Sequence, residues 1–358
     1  MNVTIAERRL RNQHITGRAL RRPADVVAWL GAVQAQEYEP ARWALGLRMQ
    51  DGAVAGDIQR AFDEGQILRT HVMRPTWHFV ARSDIRWLLE LTAPRVHRIL
   101  SYYNRALELD ARMLTRGAAV IERALRDGHH LTRAELADRL QRAGLPNEGN
   151  RLARVVMHAE LEGIVCSGPR RQRQFTYALV AERAPKAVRL PRDEALATLG
   201  RRFFCSHGPA TIRDFVWWSG LTTADGRRAI EMIRARREEA GGLTYWTAGQ
   251  PRRGATRNQP VHLLPIYDEY LVAYRDREAV PHRPSTIASA TNASVTFQHA
   301  FVIAGHVAGT WRITRSAKGV TIHAVPLRRL TAIEHRGVIA ATRRYQAFVD
   351  VPVECVIP

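Results

Sequence analysis

Lysine is nearly missing from this chain. Only Lys186 and Lys318 occur among 54 basic residues, so arginine carries the positive charge. Acids are short as well: 34 Asp and Glu leave a formal net charge of +20 over 358 residues. Cysteine occurs three times, at Cys166, Cys205 and Cys355. That number is odd and the spacing wide, which excludes a disulfide framework and a C-x-x-C metal motif. A reducing bacterial cytoplasm, with the protein at the nucleoid, is the setting expected. No apolar run is long enough to span a bilayer. The first residues, MNVTIAERRLRNQ, lack the apolar core of a secretory signal. There is no glycine-rich phosphate loop, no Ser-His-Asp constellation and no cluster of DNA-cleaving carboxylates. His129-His130 has no partners at metal-ligand spacing, so neither a metal nor another cofactor is expected.

What is there is charge. A field of this sign and size favours a polyanionic partner, most often nucleic acid. Coding bias accounts for arginine over lysine, but it does not account for the shortage of acids. The planar guanidinium also suits phosphate, because it donates two parallel hydrogen bonds.

The length allows several small modules, and three segments share one pattern: helices, a turn, then strand-rich sequence. The second is clearest. Thr132 with Glu135 forms a capping box at the start of a helix. Asn150 opens another, with Leu152, Val155, Val156 and Ala159 as an apolar stripe. A turn at Gly168-Pro169 leads to a strand near Gln174–Tyr177, with Arg170, Arg171 and Arg173 placed to meet phosphates. The third segment has a capping box at Thr211 and a helix stop at Gly220. In the first, Ala24–Val33 and Pro40–Met49 read as helices. His71–Val80 reads as a hairpin with Arg74-Pro75 at its tip, followed by a helix over Ile85–Leu91. After residue 250 strand-like stretches take over, ending in YQAFVDVPVECVI, with a loop over 278–295. The expected fold is α+β: tandem winged-helix motifs followed by a C-terminal β-barrel. The expected boundaries are 1–117, 118–185, 186–250 and 251–358. Winged helices also serve as protein-interaction scaffolds; three with this charge favour DNA.

The segments VQAQ (33–36), RTHVMRPTWHFV (69–80), HGPATIRDFVWWSGL (207–221), LLPIYDEYLVAYRDR (263–277) and VAGTWR (307–312) together resemble the AlkZ-type DNA glycosylase family, over nearly the whole chain. The resemblance implies monofunctional removal of alkylated purines from DNA; whether bulky adducts and crosslinks are among them the sequence leaves open. It places a Gln-aliphatic-Gln catalytic motif at Gln34-Ala35-Gln36, where relatives carry Gln-aliphatic-Asp or His-aliphatic-Gln. Ala35 is small for the middle position.

The chemistry permits an amide pair. Alkylation at N7 or N3 makes a purine cationic, and the glycosidic bond loosens without an acid. A water must then be placed near C1′ and the developing sugar cation stabilised, which a Gln carbonyl dipole can do. Residues i and i+2 face one side of an extended chain, so a link between two helices lets both amides meet one point. The same spacing reads equally as two glutamines bonding backbone at helix ends. Thr76 and His78 read as DNA contacts near the lesion and Arg74 as a backbone contact; alternatively Trp77 and Phe79 are core and His78 is a buried, satisfied imidazole. Asp268-Glu269 is a carboxylate pair that can suggest acid/base catalysis; the preferred reading is that Asp268 fixes a turn or pairs with Arg275 or Arg277, because the amides already supply the water-positioning role. With no lysine in a matching motif, an imine route with strand cleavage is disfavoured. Duplex DNA is the expected partner, no membrane is expected, and no dimerisation segment stands out, so a monomer is expected. The alternatives are a non-catalytic DNA-binding regulator or protection factor, or a protein that binds the alkylating compound itself.

Overall fold

Three stretches of chain repeat one order: helix, short strand or bridge, two helices, hairpin. In the computed structural model, which describes residues 4–17, 19–249, 261–275, 298–317 and 319–358, the first comprises the helix Pro23–Leu30, strand Val33–Gln34, helices Tyr38–Gly46 and Ala55–Asp63, and strands Ile67–Val72 and Arg74–Ala81. The second comprises the helix Ala111–Leu125, strand Leu131–Thr132, helices Arg133–Arg142 and Arg151–Leu161, and strands Val165–Ser167 and Thr176–Leu179. In both sheets the last strand lies between the other two and all pairing is antiparallel. The third has the helix Arg192–Ser206, a bridge from Ala210 to Trp246, helices Ile212–Ser219 and Thr223–Met232, and the hairpin Arg236–Ala240 with Leu243–Thr247.

Local chemistry sets the helix starts. Thr132 with Glu135, Thr211 with Asp214 and Thr222 with Asp225 form reciprocal capping boxes. The helix expected to stop at Leu91 runs on from Ile85 to Ala106 through Pro94. Its buried stripe continues through Val96 and Leu100, and that packing outweighs the one backbone bond proline removes.

The C-terminal part is β-rich as expected, but its sheet is open rather than a closed barrel. It is a five-stranded sheet in the order Val353–Val356, Gly319–Pro326, His306–Ser316, His299–Ile303, Val261–Leu264, curled as a half-barrel. Its two outer strands do not pair with each other among the described residues. The stretch YQAFVDVPVECVI is only half strand: Tyr345–Val349 completes the helix Ala332–Val349, and the strand begins at Val353. A capping box of Thr331 and Glu334 starts that helix, and Val338, Ala341, Thr342, Tyr345 and Phe348 are buried at helical spacing. The loop expected over 278–295 lies outside the described residues.

The hairpin Ile67–Ala81 separates two cores, because successive side chains on a strand point to opposite faces. Ile67 and Phe79 join a core with Phe62, Leu264, Phe301 and Trp311, which fuses the first segment to the C-terminal sheet. Leu68 and Val80 join another with Trp87, Phe203, Phe215 and Trp218 of the third segment. The second segment has its own core around Ile121, Leu136, Leu140 and Val155.

Candidate active site

Gly31 ends the helix Pro23–Leu30 at φ 87°, a conformation that favours glycine. A Cβ there would lie 3.2 Å from the Trp218 ring, so the turn also needs the missing side chain. The chain then extends along the hairpin, with Val33 opposite Phe79 and Gln34 opposite His78. The Ala35 N–H continues the ladder to the Trp77 carbonyl at 2.8 Å. Ala35 is fully buried in the core shared with the C-terminal sheet. Gln34 and Gln36 therefore take the other side of the link, and the small middle residue is what the core admits.

Both amide oxygens are held. Arg74 Nη2 donates to Gln34 Oε1 at 3.0 Å, and the Trp77 N–H donates to Gln36 Oε1 at 3.4 Å. Donors at both oxygens fix which way each amide points. Arg69 braces the link from below: its Nε donates to Ala35 O at 2.9 Å and its Nη2 to Gln36 O at 3.3 Å. Its guanidinium lies between the rings of Trp77 (4.3 Å) and Phe175 (4.8 Å).

Behind Gln34 sits a buried carboxylate. Glu269 Oε1 accepts the Gln34 N–H at 2.8 Å, and its Oε2 accepts Trp218 Nε1 at 2.9 Å with His207 Nε2 at 3.5 Å. Burial works to raise this carboxyl, but His207 and the Gln34 N–H outweigh it and hold Glu269 below its usual range. Asp268 next to it does structural work instead. It caps the turn at Tyr270 and grips Arg48 with both oxygens at 2.8 Å, so its partner is Arg48 and not Arg275; Arg277 lies outside the described residues.

Arg74, Thr76 and His78 alternate onto the face that carries Gln34. His78 is fully buried, and its Nδ1 meets Thr76 O at 2.9 Å. Burial first, and the Arg74 charge second, push its pKa down to about 3, so the ring is neutral near pH 7. His78 Nε2, Thr76 Oγ1 and Arg74 Nε are buried without a hydrogen-bond partner among the described residues, as is Thr70 Oγ1 on the strand opposite His78. This polar face can hold ordered water.

The model of the family "DNA glycosylase AlkZ-like" matches residues 27–348. The chain belongs to that family. It is therefore a DNA glycosylase, a hydrolase of N-glycosyl bonds. It is similar to an interstrand DNA cross-link repair glycosylase of Streptomyces sahachiroi, 25% identical over 328 residues, covering 87% of this chain and 88% of the relative. Its fold is similar to the solved structure of Streptomyces sahachiroi DNA glycosylase AlkZ, with a TM-score of 0.77 and 22% identity over 98% of each chain. No helix among the described residues is long and apolar enough to cross a membrane.

The second hairpin of this AlkZ-like glycosylase treats its arginines differently. The Arg170 N–H and guanidinium are spent on Asp63, Gln59 and the Arg173 carbonyl, under the rings of Tyr38 and Phe175. Arg171 is exposed but paired with Glu135 at 2.8 Å. Arg173 is exposed, and of the three it is the one whose guanidinium makes no hydrogen bond or ion pair among the described residues. None of them joins Gln34, whereas Gln36, Arg74, Thr76 and His78 gather beside it. Sequence reasoning missed Arg69, and it set Glu269 aside together with Asp268. The alternation in RTHVMRPTWHFV places Arg69 in line with Trp77; nothing local separates Glu269 from Asp268.

Proposed function

We propose that this glycosylase hydrolyses the N-glycosidic bond of N7- or N3-alkylated purines in duplex DNA, as a monomer, without cofactor and without cutting the strand. The same reading takes the three repeated segments (1–117, 118–185, 186–250) as winged-helix modules ahead of the β-rich part (251–358). Exposed arginines such as Arg173 then meet the phosphate backbone. The observation that carries it is the pair of amides on one side of an extended link, each oxygen anchored by the hairpin.

Each carbonyl oxygen keeps a second lone pair. It accepts a hydrogen bond from a water and leaves that water's oxygen turned to C1′. The cationic base departs with the bonding electrons and becomes neutral, so no acid is required, and neutral His78 does not supply one. The sugar carries the positive charge until the water's oxygen bonds to C1′ and the proton it loses passes to solvent. Arg74 alone would oppose that charge; ionised Glu269, one hydrogen bond behind Gln34, offsets it. Lys186, exposed in the linker before Arg192, offers no amine at this site. The cross-link repair named for the Streptomyces relative extends the proposal to bulky adducts and interstrand crosslinks.

The test is excision of small and bulky N7- and N3-alkylpurines from duplex DNA, read as heat-labile abasic sites. The Gln34→Ala, Gln36→Ala double variant is expected to lose about a hundredfold in single-turnover rate or more. Absence of excision by the wild type across all adducts would overturn the substrate assignment. Equal rates in the double variant would overturn the site.

A further inference from the structure

The long helix Ile85–Ala106 meets the end of the helix Arg151–Leu161 with little apolar filling. Ala93, Val96, Leu100 and Leu161 are the buried residues there, with Met157 beside them. Three metal-ligating side chains converge at the joint. His97 Nε2 lies 2.9 Å from Glu162 Oε1, and His158 Nδ1 lies 4.0 Å from the same oxygen. The ligand atoms of all three fall within 4.8 Å of one another. The two imidazoles meet edge to face at 5.3 Å. His97 Nε2 and His158 Nδ1 are buried, yet neither makes an aligned hydrogen bond among the described residues. A buried polar atom left so is costly unless something takes its lone pair or proton.

We infer that His97, His158 and Glu162 form a site for a divalent transition-metal ion of the zinc class, separate from the amide pair, that clamps the second segment to the long helix. Two imidazole nitrogens and one carboxylate oxygen are a donor set of borderline softness, which suits Zn²⁺. His158 and Glu162 stand four residues apart on one helical face; His97 comes from the facing helix and closes the set. Metal–ligand bonds of about 2.0–2.2 Å in a tetrahedron place ligand atoms about 3.3 Å apart. The 2.9 and 4.0 Å separations straddle that value, so side-chain rotation completes the geometry. His97 and Glu162 also line a cleft of about 220 Å³ with Arg86 and Arg189, which admits water as fourth ligand. No sequence spacing signals such a site, because His97 and His158 come from different segments.

The test uses the full-length, tag-free chain after chelation, titrated calorimetrically with ZnCl₂. One equivalent is expected to bind and to raise the melting temperature, since an ion bound only to the folded state stabilises it. His97→Ala and His158→Ala should each weaken binding by about tenfold or more and cancel the melting shift. A Cys205→Ser, Cys355→Ser variant should still bind. Failure to bind one equivalent, or binding indifferent to both histidine variants, would overturn the site. Should either variant unfold by circular dichroism, anomalous scattering from zinc-soaked wild-type crystals locates the ion; density away from His97 and His158 would also overturn it.

Discussion

Glu269 is fully buried and carries its charge next to an apolar ring, Trp218, so its ionised form has to be held by donors. Two donors bond it, the Trp218 indole N–H and the backbone N–H of Gln34, with His207 Nε2 3.5 Å away. A charge placed there acts on whatever sits over the amide pair. Glu269→Gln keeps the shape and removes the charge, leaving Arg74 uncompensated. Its single-turnover excision rate is expected to fall by about ten- to a hundredfold, with DNA affinity nearly unchanged. The wild-type rate should be flat between pH 5.5 and 8.5 within about twofold, because His78 titrates near 3 and Glu269 below its usual range. A limb of unit slope inside that window would mean that an ionising acid or base takes part. A Glu269→Gln variant with wild-type rates would remove the carboxylate from the mechanism.

At the scale of elements, the hairpin Ile67–Ala81 delivers Arg69, Arg74, Thr76 and His78, and its turn is set from outside. The turn sits at Met73, at φ 63°, rather than at Arg74-Pro75. Pro75 is exposed within the strand Arg74–Ala81, beyond the reach of its pairing with Val33–Gln34, where it costs no bond on that side. Gly220, the left-handed cap of the helix Ile212–Ser219, presses on this turn: a Cβ there would lie 2.2 Å from the Met73 carbonyl oxygen. Gly220→Ala pays for the left-handed backbone and also displaces the turn that carries Arg74. A loss on the order of 2–3 kcal/mol is expected, together with slower excision. Gly241→Ala, at φ 57° with nothing within 4 Å, is the control that isolates the backbone cost. Equal melting shifts in the two variants would show that the contact with Met73 does not matter. What the sequence made legible here was local. Capping boxes at Thr132 and Thr211, the stop at Gly220 and the extended Gln-Ala-Gln link follow from neighbours within four residues. The continuation past Pro94, the C-terminal helix and the position of the turn depend on packing with distant segments, and so does the choice of Glu269 over Asp268.

Across the whole molecule, the segments are joined by polar groups taken fully out of water. Arg48 and Asp268 are both fully buried and link the first segment to the chain beside the C-terminal sheet. Arg9 is fully buried over Tyr274 at 3.7 Å and donates to Pro209 O. Histidines share this burial without gaining charge. Burial pushes His78 and His262 down to about 3 and His299 to about 4, from an ordinary value of 6.5. His299 Nδ1 accepts the Ile266 N–H at 3.0 Å, which requires that nitrogen to be unprotonated. The sign follows from proton counting. Between pH 6.5 and about 4 the unfolded chain binds a proton at each of these positions and the folded chain does not. Their contribution is fully present above 6.5 and is lost as the pH falls, with a limiting slope of about 1.4 kcal/mol per pH unit for each histidine. Guanidinium unfolding midpoints should therefore drop steadily from pH 7 to pH 5, before the carboxylates begin to protonate. A midpoint unchanged over that interval would show that these imidazoles are charged, or reached by water, in the folded protein.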